Sequence, residues 1–220
     1  MVALSVGVSK MTILLPTLPS NVPQRSTPHS QRLFALALRL SGWRVTGDIP
    51  NIPKAIVIGA PHTSNYDEWL VLMTAFGLGL NLKVFAKHTV YRPPFRHVLS
   101  WLGVIPVHRQ QAQGLTQSTI DAFADHEQLW VGLSPEGTRT QASEWKSGFY
   151  HIAISAQVPI VLVGLDYAAR EVRFLSTLTP SGNCTQDLAL IQSYYAGITP
   201  AHPKRLSQPL QRLPKHQATE

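Results

Sequence analysis

The sequence predicts an α/β fold, a single layered domain with a mixed, mostly parallel central sheet flanked by helices and preceded by an amphipathic N-terminal helix. Three observations carry this. The 220 residues are enough for one domain with a full hydrophobic core. Short runs rich in Val and Ile are apolar at successive positions, as strands buried on both faces are. Segments with helical apolar spacing separate those runs, and alternating strands and helices build a layered α/β sheet.

The elements follow in chain order. Residues 16–30 carry Pro16, Pro19, Pro23 and Pro28 among Ser, Thr, Asn and Gln, so residues 1–30 read as a flexible N-terminal segment. Met1–Ser20 contains Lys10 and lacks the charged start, apolar stretch and cleavage site of a signal peptide. Residues 31–44 read as a helix, because Leu33, Leu36, Leu40 and Trp43 recur at helical spacing beside Arg32 and Arg39. Such a helix packs on the domain, or lies in a membrane interface with its basic residues meeting anionic headgroups. Strands are expected at 55–60, 82–86, 104–107, 129–133, 159–167 and 172–178. Helices are expected at 64–78, 94–102, 115–125, 144–156 and 187–198. The ordered domain therefore covers 31–198. Residues 199–220, with four prolines and several Lys, Arg and His, read as a disordered basic tail.

Composition narrows the function classes. Apolar residues make up 44% and charged residues 14%. The longest central charge-free apolar run, Trp69–Leu82, is broken by Gly77, Gly79 and Asn81 and falls short of the roughly 18–20 residues that span a bilayer. The net charge of +7 favours an anionic partner. One cysteine, Cys184, excludes a disulfide framework and suggests a cytoplasmic protein. The nine histidines are dispersed without metal-ligand spacing, so no metal is expected.

Chemistry concentrates at strand ends, where open α/β sheets gather reactive groups. His62 follows the first buried strand in Pro61-His62-Thr63-Ser64-Asn65-Tyr66-Asp67. Asp67, in the first turn of the next helix, can turn back and accept a hydrogen bond from His62. That fixes the tautomer, leaves the other ring nitrogen as a base and stabilises the imidazolium formed on proton abstraction. The same residues also have capping-box spacing, with Asp67 favouring the helix dipole. A second segment, Gly103-Val104-Ile105-Pro106-Val107-His108-Arg109, is a strand running into Arg109. A third, Ser134-Pro135-Glu136-Gly137-Thr138-Arg139-Thr140, ends another buried strand. It joins an acid, a glycine, a hydroxyl and the planar fork of Arg139, which suits a phosphate. A tight turn with a surface ion pair would use the same residues. Lys87 also follows a strand. Gly132-Leu133-Ser134-Pro135-Glu136 approaches a Gly-x-Ser-x-Gly elbow, with Glu136 where the second glycine belongs.

His62-x4-Asp67, Gly103–Arg109, Glu136-Gly137-Thr138-Arg139 and Val158-Pro159-Ile160-Val161, in this order, resemble the four sequence blocks of the phospholipid/glycerol acyltransferase family, which includes lysophosphatidate acyltransferases. The resemblance covers roughly residues 40–180. It implies an O-acyltransferase in which His62 is the general base and Asp67 orients it. The acceptor hydroxyl would attack an acyl thioester, acyl-CoA or acyl carrier protein, with no further cofactor. Lys87, Arg109, Glu136, Gly137, Thr138 and Arg139 would bind a lysolipid or glycerol-phosphate-like acceptor, Arg139 taking its phosphate. The setting implied is peripheral, at a membrane surface on the cytoplasmic side, with no nucleic acid. The chain departs from the family pattern at His108, where an acid often precedes the arginine, and at Thr140, where serine is common. Alternatives from other classes are a non-catalytic lipid-binding protein and a serine hydrolase using Ser134.

Overall fold

The computed structural model describes residues 15–25, 27–87, 93, 96–107 and 112–214. Among these residues seven strands form one sheet in the order β1-β7-β6-β2-β5-β3-β4. They are β1 (Arg44–Thr46), β2 (Lys54–Ala60), β3 (Leu82–Lys87), β4 (Val104–Val107), β5 (Leu129–Leu133), β6 (Ile160–Asp166) and β7 (Glu171–Leu178). Every pairing is parallel except the β6–β7 hairpin. The expected mixed, mostly parallel sheet is therefore present. The helices are α1 (Pro28–Leu40), α2 (Tyr66–Leu78), α3 (Arg96–Trp101), α4 (Ala112–Asp125), α5 (Gly148–Ala156), α6 (Cys184–Ser193) and the short α7 (Gln208–Gln211).

The central strands are apolar at successive positions because both faces are covered. In β2, Ile56 and Ile58 face a core shared with Phe149, Ile152, Ile160 and Leu162. Ala55 and Val57 face the opposite core with Leu70, Trp130 and Val161. Successive side chains alternate between the faces, so no polar position interrupts the run. The sheet register brings the carboxyl ends of three strands together. Ile58 lies beside Leu133 of β5, and Ala60 beside Gly164 of β6. The loops leaving β2, β5 and β6 therefore open at one edge.

Three features depart from expectation. The strand β1 was not legible, since three residues are too few to show a period. It is held by parallel pairing to β7 and an Arg44–Glu171 ion pair at 2.8 Å. The α1 stripe faces outward: Leu33, Leu36 and Leu40 are 65%, 50% and 77% exposed, while Leu38 is fully buried. Phe34 packs its ring on Phe76 of α2 with centroids 4.8 Å apart. Close approach of the two helices is allowed by Gly77, where an added Cβ would lie 3.2 Å from the Ala35 backbone. Trp43 lies beyond the helix and is buried.

Both ends of the expected domain also extend further. Among residues read as a flexible lead-in, Val22 is fully buried, Arg25 N donates to Gly79 O and Pro23 O accepts from Asn81 N. Residues 199–214, read as part of a disordered tail, are packed. Leu210 is buried, Thr199 O accepts from Tyr167 N, and Gln208 N donates to Ala142 O. Leucines spaced through the basic segment supply apolar area that composition averaged away. Among the described residues no helix is long and apolar enough to cross a membrane.

Candidate active site

The loop from β2 to α2 carries His62 and is tied down by buried carboxylates. Asp67 is fully buried in the first turn of α2. Its Oδ2 accepts from the backbone N–H groups of Thr63 and Ser64, each at 2.8 Å, and lies 3.3 Å from His62 Nδ1. Ser64 Oγ in turn accepts from Tyr66 N at 3.1 Å. One carboxylate thus serves both the loop amides and the His–Asp contact, while the other half of the expected capping box is not made: Ser64 Oγ meets Tyr66 N rather than Asp67 N, and Asn65 caps α2 without a side-chain bond. Burial works to raise the Asp67 pKa. Hydrogen bonds from His62, Tyr167 and the two amides outweigh it and hold the carboxyl below its ordinary value. With Nδ1 turned to this anion, His62 Nε2 is the remaining ring nitrogen, 3.8 Å from Glu68 Oε1. The ring is 13% exposed.

Glu136, beyond β5, lies under the same loop. It is 3% exposed and its Oε2 accepts from His62 N at 2.5 Å. Burial pushes its pKa up, opposed by Ser207 and the His62 amide. Ser207 lies near, but Oε1 meets no partner with hydrogen-bond geometry. The residue expected to contact the acceptor therefore supports the His62 backbone from below. Gly137 adopts φ 62° with Lys146 against it, where a Cβ would lie 2.9 Å from the lysine side chain, so the turn demands glycine. Thr138 Oγ1 faces Thr140 Oγ1 at 2.9 Å and accepts from Thr140 N. Arg139 is half-exposed and pairs with Glu68 of α2. Lys87 ends β3, paired in register with Val107 of β4, which puts it at the same sheet edge. Its side chain, and all of His108 and Arg109, lie outside the described residues. Ser134 Oγ is buried without a partner, so it lacks the hydrogen-bonded base that an activated serine needs.

Sequence reasoning missed three contributors. Tyr167, just past β6, donates its hydroxyl to Asp67 Oδ1 at 2.5 Å and packs edge-on against Trp43. Burial and the Asp67 charge push its own pKa up. The available signal was a hydroxyl placed beyond a strand that a buried apolar run makes central. The C-terminal segment also reaches the loop: Thr63 Oγ1 accepts from His202 N, and Thr63 O from Arg205 Nη1. Glu68 is the third.

Replacing Tyr167 with phenylalanine is expected to cost about 1.5 kcal/mol at pH 7, the value of a hydrogen bond to a charged group. The bond helps depress the Asp67 pKa. Its contribution is full above the ordinary carboxylate pKa and lost as pH falls through the lowered one. Denaturation of both proteins across pH checks this; an equal gap at every pH refutes it.

Known proteins resemble this chain in sequence and in fold. A family model described as Acyltransferase matches residues 43–166. A 1-acyl-sn-glycerol-3-phosphate acyltransferase of Haemophilus influenzae is 32% identical over 142 residues, covering 60% of this chain and 58% of that protein. The protein of the same name from Salmonella typhimurium is 31% identical over 137 residues, covering 59% and 54%. The chain thus spans little more than half the length of these relatives. The crystal structure of the 1-acyl-sn-glycerophosphate (LPA) acyltransferase from Thermotoga maritima superposes with a TM-score of 0.58 at 15% identity, covering 76% of each chain, which supports the fold. The matched segment runs from Trp43 to Asp166 and includes the His62 loop, β5 with its Glu136 turn, and β6; on this match the chain belongs to the Acyltransferase family.

Proposed function

We propose that this chain is an O-acyltransferase that moves a fatty acyl group from an acyl thioester, acyl-CoA or acyl carrier protein, to the hydroxyl of a glycerol-phosphate or lysophospholipid-like acceptor. The observation that carries this is the His62 ring, with Nδ1 3.3 Å from buried Asp67 and Nε2 on the side of half-exposed Glu68 and Arg139. Nε2 takes the acceptor hydroxyl's proton as its oxygen attacks the thioester carbonyl. The carbon–sulfur bond then breaks, and the imidazolium returns the proton to the leaving thiolate. A thioester is already activated, so no covalent enzyme nucleophile is needed. Asp67 stabilises the imidazolium between these steps. Arg139 takes the acceptor phosphate, with Lys87 and Arg109 assisting. The names of the relatives support the reaction class.

The reading includes peripheral attachment at the cytoplasmic face of a membrane. Leu33, Leu36 and Leu40 of α1 and Trp69 of α2 are half-exposed or more, on two helices that pack together. Arg32 and Arg39 stand in the same helix. An amphipathic helix of this kind suits an interface of anionic lipid. Changing the three leucines to serine is expected to weaken binding to anionic phospholipid vesicles at least tenfold, at roughly 1 kcal/mol or more per leucine partly withdrawn from water. Unchanged vesicle co-sedimentation contradicts that attachment mode.

The deciding experiment measures thioester consumption with a panel of lysolipid acceptors, products read by mass spectrometry, beside a His62→Ala control. Acylated lysolipid from wild type alone supports the reading. Lipid binding without turnover of any donor overturns it in favour of a binding protein, and fluorophosphonate labelling of Ser134 in favour of a hydrolase.

A further inference from the structure

Glu68 follows Asp67 in the first turn of α2, and the proposed chemistry gives it no part. Its Oε1 pairs with Arg139 Nη2 across 71 residues of sequence and lies 3.8 Å from His62 Nε2. One carboxylate oxygen therefore faces both the nitrogen proposed to take the acceptor's proton and the cation proposed to hold its phosphate. A first-turn carboxylate also favours the helix dipole. That ordinary role needs no particular direction of the side chain, and here the side chain points into the site. Glu68 and Arg139 are 51% and 45% exposed, and an ion pair this exposed contributes little to folding.

We propose that Glu68 sets the acceptor preference of the site by competing with the acceptor's phosphate for Arg139. The proposal rests on the phosphate-binding reading of Arg139. A phosphate monoester and a carboxylate seek the same planar guanidinium fork. Seating the monoester turns Glu68 away from Arg139, or leaves two anions side by side next to His62. An acceptor without a phosphate meets neither cost. Glu68 thus weakens binding of monoester acceptors relative to uncharged ones, a discrimination built from repulsion. The adjacent Asp67 cannot do this, because its oxygens are committed to Thr63, Ser64 and Tyr167 inside the protein.

The test compares wild type, Glu68→Gln, Arg139→Ala and the double variant, using lysophosphatidate and monoacylglycerol as acceptors in mixed micelles. Melting temperatures check that each variant is folded. Glu68→Gln is expected to lower the KM for lysophosphatidate about 3–5-fold, the scale of an exposed ion pair. Its kcat, and the KM for monoacylglycerol, should stay within about twofold. The gain should vanish when Arg139 is also replaced. A KM that rises or stays constant, a kcat that collapses, or a gain that survives loss of Arg139 overturns the proposal. Where Arg139→Ala raises the lysophosphatidate KM but Glu68→Gln does not lower it, the phosphate-binding reading stands and the competition fails. Where Arg139→Ala leaves that KM unchanged, or wild type acylates neither acceptor, both fail.

Discussion

Replacing His62 with alanine is expected to lower acyl transfer by about 10²–10⁴-fold, the usual contribution of a positioned general base. The fold should survive. The His62 backbone N–H still meets Glu136, and Asp67 keeps both amides and the Tyr167 hydroxyl. The loss should therefore appear in kcat at saturating acceptor, with circular dichroism and melting temperature near wild type. Turnover within a fewfold of wild type would remove His62 from the base role.

Asp67→Ala is expected to damage fold and reaction together. The amides of Thr63 and Ser64 and the Tyr167 hydroxyl all lose an acceptor where Asp67 is fully buried. Unsatisfied buried groups cost about 1–3 kcal/mol each, and the total should reach roughly 3–5 kcal/mol. Asp67→Asn separates the effects. The amide oxygen still accepts from the loop, so stability should fall by about 1.5 kcal/mol or less. The charge opposite the imidazolium is gone, so the rate should fall on the 10²–10⁴-fold scale. The stability difference between wild type and Asp67→Asn has a definite sign with pH. The native carboxyl titrates below its ordinary value, so its contribution is complete above about pH 4 and fades as pH falls through the lowered value. Urea denaturation at pH 7 and in acid measures it; a gap that widens in acid refutes the assignment.

The sheet was legible where residues are apolar on both faces. The runs around Ile56, Val131 and Val161 declare buried strands because neither face can carry a polar side chain. β1 was not legible, because Arg44–Thr46 is defined by its neighbour β7. The α1 stripe gave the helix but not its facing. Helical spacing marks an apolar face, and Leu38 with Phe34 supplied a competing one toward α2. His62 and Asp67 were legible because five residues across a strand-to-helix turn bring them together. Tyr167 was not, since its contact with Asp67 depends on β6 lying beside β2. Glu136 was seen as an acid at a strand end. That it turns inward follows from burial, which no local pattern encodes. Likewise, proline and charge in residues 199–214 concealed the backbone and arginine contacts to Thr63.

The inward-turned amides of the β2–α2 loop have a consequence for the tetrahedral oxygen. His62 N is taken by Glu136, and Thr63 N and Ser64 N by Asp67. In many acyl-transfer sites, consecutive N–H groups beside the catalytic side chain receive the developing oxyanion. Here those three donors are spent on holding the His62 loop in place. In the proposed reaction, charge building on the thioester oxygen would then be met from another element, with proton abstraction and oxyanion stabilisation on separate parts of the chain. A change of acyl donor could then be accommodated without moving the base.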